Sequence, residues 1–146
     1  MRKVCLILII ALLLFSAGCA PVAVSELYSL PQVPDEYVSL QSLIDTEIAG
    51  GCEYSSPIRG SNRQSVQLYD LNGSGQFEAL AFFRTSEGAL KICIYESADG
   101  IYSPACTITG EGSSISRVEF ADMDGDGISA RIVAWQMSGG VNLLCV

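Results

Sequence analysis

The sequence predicts a mainly β protein: antiparallel, propeller-like repeats behind one N-terminal amphipathic helix. Three observations predict it. Short β-branched or aromatic runs recur from about residue 57 onward. Residues 57–94, moved forward by 52, fall on 109–146 without a gap. Each copy carries one Asp/Gly-rich loop between two apolar runs. A period near 50 with about four strands per unit is the pattern of propeller blades. The chain then holds one complete unit, 57–108, and an incomplete one, 109–146. That is about one and three-quarter blades, too few for a ring of roughly 4–8. The expectation is a truncated array, an assembling fragment, or a small open sheet that the helix must cover.

The helix comes first. Tyr37, Leu40, Ile44 and Ile48 recur at three- and four-residue steps within 35–50. Pro34 precedes this stripe, Asp35 and Glu36 suit the positive N-terminal end, and Gly50-Gly51 stops it. Strands follow at Val66–Tyr69, Ala79–Arg84, Leu90–Tyr95, Ile101–Thr109, Ile115–Ala121, Arg131–Gln136 and Val141–Val146. Ser97-Ala98-Asp99-Gly100 reads as a hairpin turn. Alternation puts Val66, Leu68, Leu80, Phe82, Val118, Phe120, Ile132 and Trp135 inward as the expected core. Of the 38 residue pairs that the 52-residue shift superimposes, nine are identical. They fall mainly on turn glycines and on the acidic loop, where backbone geometry is most demanding.

The N-terminus reads as a targeting segment. Arg2 and Lys3 are basic, Leu6 to Phe15 is apolar, and Ser16-Ala17-Gly18 is a small-residue run before Cys19. The apolar run is short for a bilayer span, which needs about 20 residues. The Ser-Ala-Gly-Cys end resembles a bacterial lipoprotein lipobox, with Ser16 where that family usually has Leu. The resemblance implies a signal peptide at 1–18 and a diacylglyceryl group on Cys19. It also implies attachment to the extracytoplasmic face of the cell membrane through that lipid. Residues 19–34, with Pro21, Pro31 and Pro34, then form a tether.

The acidic loops carry the metal chemistry. Asp70, Asn72 and Ser74 put oxygen side chains at positions 1, 3 and 5 of the first loop. Asp122, Asp124 and Asp126 do so in the second. Gly75 and Gly127 stand at position 6, where a loop turning around a hard cation bends sharply. Position 7 offers a backbone carbonyl, from Gln76 or Ile128. An EF-hand is excluded, because its bidentate Glu at position 12 is replaced by Ala81 and Val133. Glu78 supplies an acid at position 9 of the first loop, where the second has Ala130.

A strand, an Asp-x-Asp-Gly-Asp-Gly-type loop and an apolar strand resemble the FG-GAP/VCBS repeats of integrin-like β-propellers. The wider stretch, with its helix and the strand at Asn62 to Leu68, resembles bacterial lipoproteins carrying such repeats. The resemblance implies structural calcium and a role in adhesion or ligand binding. Carried onto this chain, the first site is Asp70, Asn72, Ser74, the Gln76 carbonyl and Glu78. The second is Asp122, Asp124, Asp126 and the Ile128 carbonyl, with water in place of the missing acid.

Composition removes other classes. The chain has no His, which excludes Ser-His-Asp and Cys-His catalysis. Its net charge of −8 disfavours a nucleic-acid partner. No catalytic set is recognisable, so the chain is not expected to be an enzyme. Four cysteines remain beyond Cys19: Cys52, Cys93, Cys106 and Cys145. Cys93 and Cys106 flank the hairpin turn, and an exported chain can oxidise its thiols. The favoured reading is free thiols buried as small hydrophobes. The expected function is a lipid-anchored binding or scaffold module for a protein or glycan ligand, able to self-associate through unpaired strand edges. The alternatives are an inactive or assembly-dependent piece of a larger propeller lipoprotein, and a carbohydrate-active accessory protein.

Overall fold

The computed structural model describes residues 33–140 and the backbone of 142–145. The expected signal peptide (1–18), Cys19 and nearly all of the tether (19–34) lie outside these residues. Among those described, no helix is long and apolar enough to cross a membrane.

A 3-10 turn at Asp35–Tyr37 leads into α1, Val38–Ala49. The helix ends in a Schellman arrangement. Gly51 takes φ +91°, the Gly51 amide donates to the Ile48 carbonyl, and the Cys52 amide donates to the Glu47 carbonyl. Leu40 and Ile44 are buried, with Tyr37 and Leu43 packed beside them. Ile48, expected in the same stripe, is 37% exposed, on the last turn of the helix.

The first sheet contains five strands: β1 (Glu53–Tyr54), β2 (Val66–Tyr69), β3 (Glu78–Arg84), β4 (Leu90–Ala98) and β5 (Ile101–Gly110). β1 and β2 both pair with β3, and the order continues through β4 to β5. The second sheet is β6 (Ser114–Ala121), β7 (Ala130–Gln136) and β8 (Asn142–Cys145). All pairings are antiparallel. Asp99 and Gly100 both have positive φ, which makes the predicted β4–β5 turn a two-residue hairpin closed by Ala98 and Ile101. β1 has no counterpart in the sequence reading, since two residues are too short to display a period.

The 52-residue shift is also a shift of register. Val66 opposite Ala81 becomes Val118 opposite Val133. Ala81 opposite Cys93 becomes Val133 opposite Cys145. β3 maps residue for residue onto β7. The described strands form two separate sheets and close no ring.

The expected core list is corrected by how these sheets stack. Leu80, Phe82, Leu90, Ile92 and Ile94 of the first sheet pack against Ile115, Val118, Val133 and Trp135 of the second. The opposite face of the first sheet, with Ala79, Ala81, Phe83 and Cys93, packs under α1. Val118, Val133 and Trp135 therefore face the neighbouring sheet, while their equivalents Val66, Ala81 and Phe83 face the helix. The stacking is head to tail, so equivalent residues enter different interfaces. Leu68 is 39% exposed, and Ile132 lies on the face of β7 opposite Val133 and Trp135.

The cysteines follow the same geometry. Cys106 is opposite Ile94, one step from Cys93, so the two thiols point to opposite faces. Cys93 is buried and Cys106 exposed; both, with Cys52, are free. Glu47 reaches from α1 to β4, pairing with Lys91 at 2.6 Å and lying 3.7 Å from the Cys93 thiol. Burial first, and then the Glu47 carboxylate, push the Cys93 thiol up, against the opposing pull of Lys91. Iodoacetamide at pH 8 is expected to label Cys106 at least about tenfold faster than Cys93, because the thiolate is the reactive form and must be reached. Peptide mass mapping over time checks this; equal rates would contradict the burial of Cys93.

Candidate functional site

Both acidic loops lie at one end of the sheets. The first, 70–78, joins β2 to β3, and the second, 122–130, joins β6 to β7. Their bases are held together by Tyr69 and Phe120, whose rings stack across the two sheets at 4.3 Å between centroids. Their tips touch as well. The Ser129 amide donates to the Leu71 carbonyl at 2.9 Å. A Cβ on Gly73 would stand 2.9 Å from the Gly127 carbonyl oxygen, so a side chain there would force the loops apart.

The two loops fold by the same rule. In each, the first Asp accepts a hydrogen bond from the amide five residues on: Gly75 to Asp70 at 2.8 Å, and Gly127 to Asp122 at 3.0 Å. The glycines at positions 4 and 6 have positive φ in both loops, a conformation that lets the backbone wrap around its own acid. Asp122 also accepts from the Gly125 amide at 2.7 Å. These amides, Gly127 foremost, hold the Asp122 carboxyl below the usual carboxylate range.

The loops differ in what their side chains do. In the second, carboxylate oxygens of Asp122, Asp124 and Asp126 lie within 4.8 Å of one another, all exposed. Oxygens bound to one calcium at 2.3–2.6 Å stand at most roughly 5 Å apart, so this spacing fits a shared hard cation. Asp126 additionally accepts from the Ile128 amide at 2.8 Å. In the first loop the expected ligands are engaged with one another. Asn72 and Asp70 both accept from the Ser74 amide, and the Ser74 hydroxyl accepts from the Gln76 amide. Glu78 is buried at 5% exposure. Its carboxylate accepts from the Leu71 amide at 2.7 Å and from the Asn72 side-chain amide at 2.8 Å. Glu78 thus ties the loop to the start of β3, a role its position 9 alone does not specify.

Sequence reasoning treated the loops separately and missed the space between them. A cavity of about 290 Å³ is lined by Asn72, Glu78, Glu96, Cys106, Ser129 and Arg131, among others. Only β4, β5 and β7 arriving at one end of the stack bring these residues together, and no local motif announces it. No family model, curated protein or solved structure matches the chain.

Proposed function

We propose that the chain is a lipid-anchored, extracytoplasmic binding or scaffold module whose blade-like repeats are braced by calcium in the acidic loops. The observation that carries this reading is the convergence of Asp122, Asp124 and Asp126 in a loop that touches its repeat-related twin. Propeller-like architecture is supported by the repeated register and by the head-to-tail stacking of the sheets. It is supported too by the path from β5, at the far edge of the first sheet, into β6, the first strand of the next.

In the second loop Asp122, Asp124, Asp126 and the Ile128 carbonyl would hold the cation. In the first, Asp70, Asn72, Ser74, the Gln76 carbonyl and Glu78 would do so after exchanging their present hydrogen bonds. The metal's contribution is charge: it offsets carboxylate repulsion at an end crowded with acids. The role is binding rather than catalysis, in keeping with a chain that has no His.

Unfolding with and without calcium tests the proposal. For an extracellular-type affinity of about 10⁻⁴–10⁻³ M, about 10 mM calcium should stabilise the fold by roughly 1.4–2.7 kcal/mol for each loop it occupies. The double variant Asp122→Ala with Asp124→Ala should lose the second loop's share of that gain and keep the first loop's. A parent protein whose urea midpoint does not move with calcium would overturn the metal reading.

A further inference from the structure

The segment between β1 and β2 is laid along β6. The Ile58 amide donates to the Ile115 carbonyl at 3.0 Å, and the Arg59 amide to the Ser116 carbonyl at 2.9 Å. The Asn62 side-chain amide donates to the Val118 carbonyl at 3.1 Å. Gln67 of β2 grips the same segment: its Nε2 donates to the Asn62 and Gln64 carbonyls, each at 3.1 Å. This segment and the Tyr69–Phe120 stack bring β2 and β6 side by side. A cavity of about 350 Å³ lies there. That is within the roughly 300–1,000 Å³ of small-molecule sites.

The chain has 16 Asp+Glu and 8 Lys+Arg, yet this cavity is lined by uncharged residues alone. They include the amides of Asn62, Gln64 and Gln67, the rings of Tyr69 and Phe120, and Leu68, which is 39% exposed. Gln67, 7% exposed, is the one buried residue of the lining and forms its floor. Its Nε2 is spent on two carbonyls, so the amide cannot be turned over without setting oxygen against oxygen. Oε1 is therefore fixed as an acceptor, and among the described residues it has no donor. A buried acceptor left unpaired is costly and rare, and marks a place that calls for a donor.

These groups select a class of ligand. A phosphate, a carboxylate or a metal ion would be buried against neutral side chains without a counter-charge. A purely apolar ligand would leave the amides unpaired. A neutral polyhydroxylated ligand matches both kinds of surface. Its hydroxyls donate to and accept from the amides, and its C–H face suits the negative π-face of an aromatic ring.

We propose that the cavity between β2 and β6 is a binding site for a neutral saccharide. Gln64 and Gln67 hydrogen-bond its hydroxyls, and the Tyr69 and Phe120 rings back its C–H face. This names a ligand class for the binding module proposed above and rests on that reading. It uses no oxygen of the acidic loops, so saccharide and metal are tested apart.

Isothermal titration of the full chain with cellohexaose, chitohexaose and maltohexaose tests the site, with hexagalacturonate as the charged control. At least one neutral hexasaccharide is expected to bind with a Kd of about 1 mM or tighter. Gln64 is exposed and engages Gln67 only through its backbone carbonyl, so Gln64→Ala leaves the fold intact. It should weaken binding about two- to tenfold, the loss of one neutral hydrogen bond. Tyr69→Ala should weaken it about tenfold or more, and Gln64→Ala decides the matter where Tyr69→Ala loosens the fold. Gln41→Ala, on α1, is the control and should match the parent. The proposal is overturned by no heat from any neutral hexasaccharide at about 10 mM. It is equally overturned by hexagalacturonate binding as tightly, or by an affinity that Gln64→Ala does not move. The calcium dependence of the urea midpoint, read on the same samples, tells an empty cavity from loops that hold no metal.

Discussion

Replacing Trp135 by alanine is expected to lower stability by about 3–5 kcal/mol, the range for removing a large aromatic from a packed core. Trp135 is 2% exposed and belongs to the cluster between the two sheets. Its ring lies over Gly110 at the end of β5, where even a Cβ would come within 2.2 Å of the indole. The first sheet thus has a glycine where the second sheet needs room, and alanine at 135 would leave that space empty. Such a loss is a large part of the roughly 5–15 kcal/mol that holds a typical domain together. Urea unfolding followed by circular dichroism measures it, with the midpoint expected to fall at an unchanged slope. A loss below about 1 kcal/mol would mean that the sheets do not pack face to face through this residue. Phe83, its repeat equivalent, lies under α1, so Phe83→Ala should instead loosen residues 38–49, read by amide exchange.

Gly112→Ala is expected to cost roughly 2–5 kcal/mol, combining a strained backbone with a steric clash. Gly112 has φ +102°, and a Cβ there would meet the Gln136 carbonyl oxygen at 2.2 Å. That carbonyl accepts the Ser113 amide at 2.7 Å, at the open end of the β6–β7 pair, opposite the acidic loop. Relieving the clash therefore breaks a ladder contact in the sheet that carries the second acidic loop. Gly88→Ala is the matched control. Its φ of +87° imposes a similar conformational penalty, but nothing lies within 4 Å of the added methyl. It should cost about 1 kcal/mol, the lower end for a left-handed non-glycine residue. Thermal unfolding of both variants isolates the clash as their difference; equal losses would show that conformation alone matters.

Legibility in the sequence divides along physical lines. The helix, seven of the eight strands among the described residues and the β4–β5 turn were readable because each depends on short-range pattern: period, capping glycine, turn residues. The acidic loops were readable for the same reason, since both close on their own first Asp. Face assignment failed at Leu68 and at Ile132. Alternation says which residues share a face, but not which partner that face meets. The Glu47–Lys91 pair, 44 residues apart in the chain, and the cavity holding Glu96 and Arg131 had no local signal.

By itself the sequence determined the repeat and its period, the local geometry of the loops and the end of the helix. These follow from backbone torsion preferences and from contacts within a few residues. Tertiary structure alone decided that the two sheets stack with equivalent residues in different interfaces, and that α1 covers the other face of the first sheet. It also decided that the acidic loops meet. The reason is that a repeat copies residues but not neighbours. Phe83 and Trp135 hold the same place in their sheets, yet one lies under a helix and the other against a second sheet.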